Sequence, residues 1–120
     1  MDERIHFIEH KGKQMLRLDF THSTSSQMMP LLEFVRTTIA IQDRESVIVL
    51  ADYEGAEVDH AVAMKIKEVL TLDRPFVKKS AWVGSEHIPH AFMENFKSFS
   101  QREIVTFKTR QEALNWLVEE

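Results

Sequence analysis

The chain has 120 residues, of which 43% are hydrophobic and 28% are charged, and it contains no cysteine. This size and composition predict one folded domain, residues 1–120, with a single hydrophobic core. The 15 basic and 19 acidic residues give a formal net charge of -4, which argues against nucleic-acid binding by phosphate neutralisation. The lack of cysteine excludes disulfides, thiolate catalysis and cysteine zinc sites.

The start of the chain and its hydropathy bear on its location. Residues 1–4 lack the basic segment and apolar stretch of a signal peptide. No apolar run approaches the roughly 20 residues that span a bilayer. We therefore expect a cytoplasmic protein, and any membrane association is expected to be peripheral.

The first half of the chain predicts three strands and one helix. Two strands at 5–8 and 15–20 are joined by a glycine-containing hairpin connection. The second strand alternates apolar and polar residues, which indicates that one of its faces is covered. A helix is predicted over about 27–41, where Pro30 fits only in the first turn. A strand is predicted over 46–51, which reads Ser-Val-Ile-Val-Leu-Ala; its continuous apolar run from residue 47 is typical of a central strand covered on both faces.

The second half predicts three helices and two strands. An amphipathic helix at about 58–72 precedes a strand at 77–83, and a second apolar stripe follows over 88–99. A short strand at 104–107 leads to a capping box, Thr109 to Glu112, that opens the last helix. The order β-β-α-β-α-β-α-β-α predicts an α/β fold with four helices. Its mixed five-stranded sheet should be mostly parallel, with the first strand antiparallel.

Several stretches of the sequence are similar to a known family. The segments HKGK, VIVLADYEG, AVAMKI, VKKSAWVG and FKTRQEALNWL together resemble the SpoIIAA-like family of bacterial proteins. That family is related in fold to STAS domains, which include anti-sigma factor antagonists, and is compared with Sec14-type lipid-binding domains. The resemblance implies a SpoIIAA-like, STAS-like fold over nearly the whole chain.

The resemblance also bears on the acidic turn, residues 53–60, which follows the central strand. In anti-sigma factor antagonists this turn carries a serine that becomes phosphorylated. The equivalent positions here are Asp59, His60 and Ala61, so the phosphorylation switch of those proteins is expected to be absent. The residues themselves favour Asp59 as a helix cap and Gly55 as a turn residue over a catalytic role.

Catalytic and metal-binding arrangements receive little support from the sequence. Ser85, His87 and Asp52 can be drawn as a triad, but residues 83–87 do not form the G-x-S-x-G elbow. His87 and His90 lie close together, whereas a zinc site needs three or four ligands. The three scattered glycines cannot form a phosphate-binding loop. We expect neither an enzyme nor a bound metal or cofactor.

The leading functional hypothesis is a non-enzymatic binding or regulatory module. Mobile helices at 58–72 and 88–99 would take up a hydrophobic ligand, a lipid or fatty acid, or would dock on a membrane surface. Lys65, Lys67 and Lys97 would then meet anionic headgroups. The simpler interpretation, favoured for small domains, is that both apolar stripes only cover the sheet. The apolar ligand-binding residues in this hypothesis are Val62, Ile66, Val69, Ile88, Phe92, Phe96 and Phe99.

A second hypothesis is a protein–protein regulatory module of the anti-sigma antagonist type. Its partner-binding residues would be Tyr53, Glu54, Asp59 and His60, in the acidic turn and at the start of the helix after it. The half-polar second strand also indicates an incompletely covered sheet face, which is compatible with a homodimer.

Overall fold

The computed structural model describes residues 3–101 and 103–119. The elements follow the predicted order, so the α/β class, the five strands and the four helices are confirmed. In chain order they are β1 (Ile5–His10), β2 (Lys13–Asp19), α1 (Ser25–Ala40), β3 (Val47–Asp52), α2 (His60–Asp73), β4 (Val77–Val83), α3 (His90–Ser100), β5 (Val105–Phe107) and α4 (Arg110–Leu117).

The five strands form one mixed sheet whose spatial order is the chain order, β1 to β5. β1 is antiparallel to β2, and each later neighbouring pair is parallel, as predicted. In open α/β sheets, ligands usually bind where the strand order reverses. The described strands have no such reversal, so this sheet does not offer that kind of crevice.

The hairpin between β1 and β2 turns at Lys11 and Gly12. Both residues have positive φ, 51° and 80° respectively. Positive φ at both central positions is the geometry of a type I′ turn, which matches the twist of the flanking strands. The predicted hairpin is therefore confirmed, and its connection is two residues long.

The position of Pro30 differs from the prediction. α1 begins at Ser25 rather than near residue 27, so Pro30 lies in the second helical turn. A proline there removes one intrahelical hydrogen bond, which costs about 3 kcal/mol inside a helix. The helix start is instead fixed by a capping box. Thr24 Oγ1 accepts from Gln27 N, and Gln27 Oε1 accepts from Thr24 N at 2.9 Å.

The two sheet faces carry separate hydrophobic cores. α1, α2 and α3 pack on one face, over a core that includes Phe20, Trp82 and Ile66. On the other face α4 packs mainly on β3, β4 and β5. Lys79 Nζ donates to the carbonyl oxygens of Trp116 and Glu119, at 2.8 and 3.0 Å, and so fixes the end of α4.

The polar residues of β2 lie on the same face as α4 but beside that helix. Arg17 and Asp19 form an ion pair of 3.8 Å on this face, and their side chains are partly exposed. The incompletely covered face expected from the alternation of β2 is therefore present. A homodimer through this face stays a prediction.

An ion-pair cluster joins α1 to α2. Glu33 accepts hydrogen bonds from the Arg36 guanidinium and from Lys65 Nζ, the latter at 2.8 Å. Lys65 Nζ also donates to Glu68 at 2.6 Å. The hydrogen bonds from Arg36 and then from Lys65 lower the pKa of Glu33 to about 2. The contribution of this carboxylate to stability is thus present above its ordinary pKa of about 4.5 and is lost as the pH falls through about 2.

We predict that Glu33 titrates with a midpoint near pH 2 and that Lys65→Met raises this midpoint, because one hydrogen-bonding cation is removed. The measurement is a carboxyl-carbon NMR titration of the folded protein. Lys78→Met changes an exposed lysine outside the cluster and should leave the midpoint unchanged. A wild-type midpoint near 4 would contradict this pairing.

Candidate functional site

Three loops at the carboxyl ends of β2, β3 and β4 pack against one another. His22 N donates to the carbonyl oxygen of Glu54 at 2.8 Å, and Glu57 N donates to that of Ser23 at 2.9 Å. On the other side, a Cβ atom added to Gly84 would lie 2.6 Å from Glu54 N. The acidic turn after β3 is thus held between its two neighbours.

The acidic turn has the structural role that was predicted from its residues. Asp59 Oδ1 accepts from Val62 N at 2.9 Å, so Asp59 caps α2. Asp52 Oδ1 accepts from Glu54 N at 3.0 Å, and Gly55 has a φ of 68°. These contacts confirm the cap and the turn residue.

The proposed partner-binding residues are divided between the core and the surface. Tyr53 is only 3% exposed, and its ring centroid lies 5.0 Å from that of Phe20 and 4.4 Å from that of Trp82. Its ring is therefore unavailable to a partner in this conformation. Glu54 and His60 are exposed, and Asp59 is exposed while serving as the cap.

The histidines after β4 make separate contacts. His87 Nε2 donates to the carbonyl oxygen of Ala56 at 2.7 Å, and His90 Nε2 lies 3.3 Å from Glu94 Oε1. Because a carbonyl only accepts, His87 carries its proton on Nε2. Among the described residues, no three histidine or carboxylate side chains are grouped to hold a metal ion.

Most of the apolar residues proposed for ligand binding lie in the core. Phe92 is half-buried, while Phe99 is 57% exposed. The cavity between α2 and α3, lined in part by His60 and Phe92, measures about 30 Å³. A space of that size holds about one water molecule, so an acyl chain would enter here only if the helices separated. The buried members of the set are Val62, Ile66, Val69, Ile88 and Phe96.

A larger space lies on the other side of α3, against β5. We call it the α3–β5 cleft; its volume is about 510 Å³. It is open to solvent and combines an apolar floor with basic and polar side chains. The lining residues are Ser85, Glu86, Ile88, His90, Met93, Lys97, Thr106, Phe107 and Lys108.

Three segments of the chain build the α3–β5 cleft. The loop after β4 supplies Ile88, whose N–H donates to the carbonyl oxygen of Ser85 at 3.0 Å. His90, Met93 and Lys97 follow one face of α3, because residues three and four apart in a helix are neighbours. β5 and the residue after it form the opposite wall. Ile88 and Lys97 are the two sequence-predicted site residues that the structure brings together here.

The three lysines proposed to meet anionic headgroups have different surroundings. Lys65 is bound by the carboxylates of Glu33 and Glu68. Lys67 Nζ lies 3.6 Å from the centroid of the Phe99 ring. Lys97 Nζ makes no ion pair or hydrogen bond with any residue in 3–101 or 103–119. Of the three, Lys97 is the lysine best placed to receive an anion.

Comparisons with protein-family models, with curated proteins and with solved structures each found no match. The resemblance to the SpoIIAA-like family therefore stays a prediction. Across residues 3–101 and 103–119, every helix is too short or too polar to traverse a bilayer.

Proposed function

We propose that this chain is a non-enzymatic binding module that holds a small lipid-like molecule in the α3–β5 cleft. The supporting observation is a cleft of about 510 Å³ in which Ile88, Met93 and Phe107 lie beside two lysines. Small-molecule sites commonly measure roughly 300–1,000 Å³ and combine apolar walls with a few polar groups. The apolar part of the ligand would pack on Met93 and Phe107, with each buried methylene contributing about 0.8 kcal/mol.

The similarity in sequence pattern to SpoIIAA-like proteins agrees with this proposal. That family is compared with lipid-binding domains, and the chain has the mixed five-stranded sheet expected for it. We therefore propose a SpoIIAA-like fold and a binding role together. No group of the cleft is required to react with the ligand, so the role of the protein is to bind and release it.

The cleft is a better site than the space between α2 and α3 because it is already open. Separating those two helices would expose Ile66 and Phe96, which are both 1% exposed. Exposing two such side chains costs roughly 3–6 kcal/mol before any ligand contact is gained. Met93 and Phe107 are half-buried and line the open cleft, and the Phe107 ring also packs on that of Trp116 with centroids 5.7 Å apart.

We predict that Phe107→Ala weakens octanoate binding about tenfold, a loss of about 1.4 kcal/mol for part of one apolar wall. The measurement is isothermal titration calorimetry, with circular dichroism to check the fold. Phe99→Ala is the matched control, since Phe99 is exposed and does not line the cleft. If Phe99→Ala weakened binding and Phe107→Ala did not, the ligand would sit on the α2–α3 surface instead.

The molecule carried by the protein as purified provides a second test. Native mass spectrometry before and after organic extraction should show a co-purified mass of lipid-like size. Loss of that mass in Phe107→Ala would connect it to the cleft. A stoichiometric polar metabolite in its place would contradict the proposal.

A further inference from the structure

We propose that the ligand of the α3–β5 cleft carries a single negative charge, a carboxylate held between Lys97 and Lys108. This inference rests on the proposed function, because it names the chemical class of the molecule in the same cleft. The two lysines come from separate elements, the last turn of α3 and the residue after β5. Both line the cleft.

The partners of the lysines distinguish this pair from others nearby. Lys65 is neutralised by two carboxylates, and Lys79 donates to two carbonyl oxygens at the end of α4. In contrast, neither Lys97 Nζ nor Lys108 Nζ has an ion-pair or hydrogen-bond partner within the described residues. Two lysines that line one cleft, and that have no carboxylate partner among the described residues, favour an anion there because each ammonium group would gain a charge-assisted hydrogen bond.

Ser85 adds a neutral donor to the same cleft. The residue is 5% exposed, and its side-chain hydroxyl has no hydrogen-bond partner among residues 3–101 and 103–119. Its backbone is fixed by the tight turn at Gly84 and by the hydrogen bond from Ile88 N. A hydroxyl in the wall of a cleft gains a hydrogen bond when it donates to a ligand oxygen.

The remaining charged groups limit the ligand to one negative charge. Glu86 also lines the cleft, and its carboxylate repels anions. His90 is 3.3 Å from the Glu94 carboxylate, which offsets any positive charge on the imidazole. Two lysines against one glutamate leave one excess positive charge, which matches a carboxylate better than a phosphate dianion.

The test compares three probes that share one alkyl chain: octanoate, octanol and octyl phosphate. Calorimetry on the full chain should give tightest binding for octanoate. Lys97→Gln and Lys108→Gln should each weaken octanoate binding about tenfold while leaving octanol binding unchanged. Ser85→Ala should weaken octanoate binding about threefold. Lys78→Gln is the matched control, since Lys78 is an exposed lysine outside the cleft, and it should bind octanoate like the wild type.

The outcomes separate the two proposals. If octanol bound as tightly as octanoate and the lysine variants behaved like the wild type, the anionic head group would be refuted while the apolar site remained. Tighter binding of octyl phosphate than of octanoate would refute the single charge. If no probe bound at all, the proposed function would fail and this inference with it.

Discussion

Replacing Phe96 with alanine is expected to lower the free energy of unfolding by about 3–5 kcal/mol. The side chain is 1% exposed, and its ring centroid lies 5.9 Å from that of Trp82 on the sheet. Alanine would leave a cavity between α3 and β4 that the packed core cannot fill completely. Urea unfolding followed by far-ultraviolet circular dichroism measures the loss.

Phe99→Ala is the matched control, because it changes the same residue type on the same helix. Phe99 is 57% exposed, and its ring lies beneath Lys67 Nζ. Its removal should cost only about 0.5–1 kcal/mol, the value of an exposed cation–π contact. Equal losses for the two variants would contradict the placement of Phe96 in the core and of Phe99 at the surface.

Gly84→Ala is expected to lower the free energy of unfolding by about 3 kcal/mol. Gly84 has a φ of 69°, and a Cβ atom there would lie 2.6 Å from Glu54 N and 2.8 Å from Glu54 Cα. The left-handed backbone alone costs roughly 1–2 kcal/mol for a residue with a side chain. The remainder comes from displacing the acidic turn, since its backbone cannot rotate away as a flexible side chain would.

The variant Gly12→Ala separates the backbone cost of Gly84→Ala from the cost of its close contact with Glu54. Gly12 also has a positive φ, 80°, but a Cβ atom there meets nothing within 4 Å. Only the cost of the left-handed backbone conformation applies here. The free energy of unfolding of this variant should therefore fall by about 1–2 kcal/mol in the same urea experiment. If Gly84→Ala cost no more than Gly12→Ala, the close contact between the loops after β3 and β4 would be wrong.

The fold was largely predictable because its signals are local. The strand at 77–83 has the predicted bounds, and the capping box at Thr109 and Glu112 is present. The predicted position of Pro30 in the first turn was wrong because the start of the helix was inferred from the apolar periodicity and not from the N-cap residue. Thr24 and Gln27 already carried the capping-box spacing, so this signal was available in the sequence.

The burial of the individual apolar side chains of α3 was not predictable from their spacing in the sequence. Helical periodicity places Phe92, Phe96 and Phe99 near one face of α3. This periodicity carries no information about how much of that face the neighbouring helices and strands cover. Phe96 packs on Trp82, whereas Phe99 lies at the surface beneath Lys67. The simpler interpretation therefore describes the buried residues well, and the function of the exposed ones stays a prediction.

The cleft itself was missed for a different reason. Its walls come from the loop after β4, from α3 and from β5, and no single stretch shows a recognisable pattern. The spacing of His90, Met93 and Lys97 fits one helix face, but the three residues have different chemistry. Phe107 and Lys108 join them only once β5 pairs with β4. Whether a lysine has a carboxylate partner likewise depends on contacts between distant segments.

The most direct test of ligand binding in the α3–β5 cleft is a two-dimensional amide NMR titration of labelled protein with octanoate. We predict that the largest shift changes occur at Ser85, Ile88, Met93, Lys97 and Phe107, which line the cleft. Changes centred instead on Met64, Lys67 and Phe99 would place the ligand on the outer surface of α2 and α3. That result, or a spectrum that both octanoate and octanol leave unchanged, would contradict binding in the cleft.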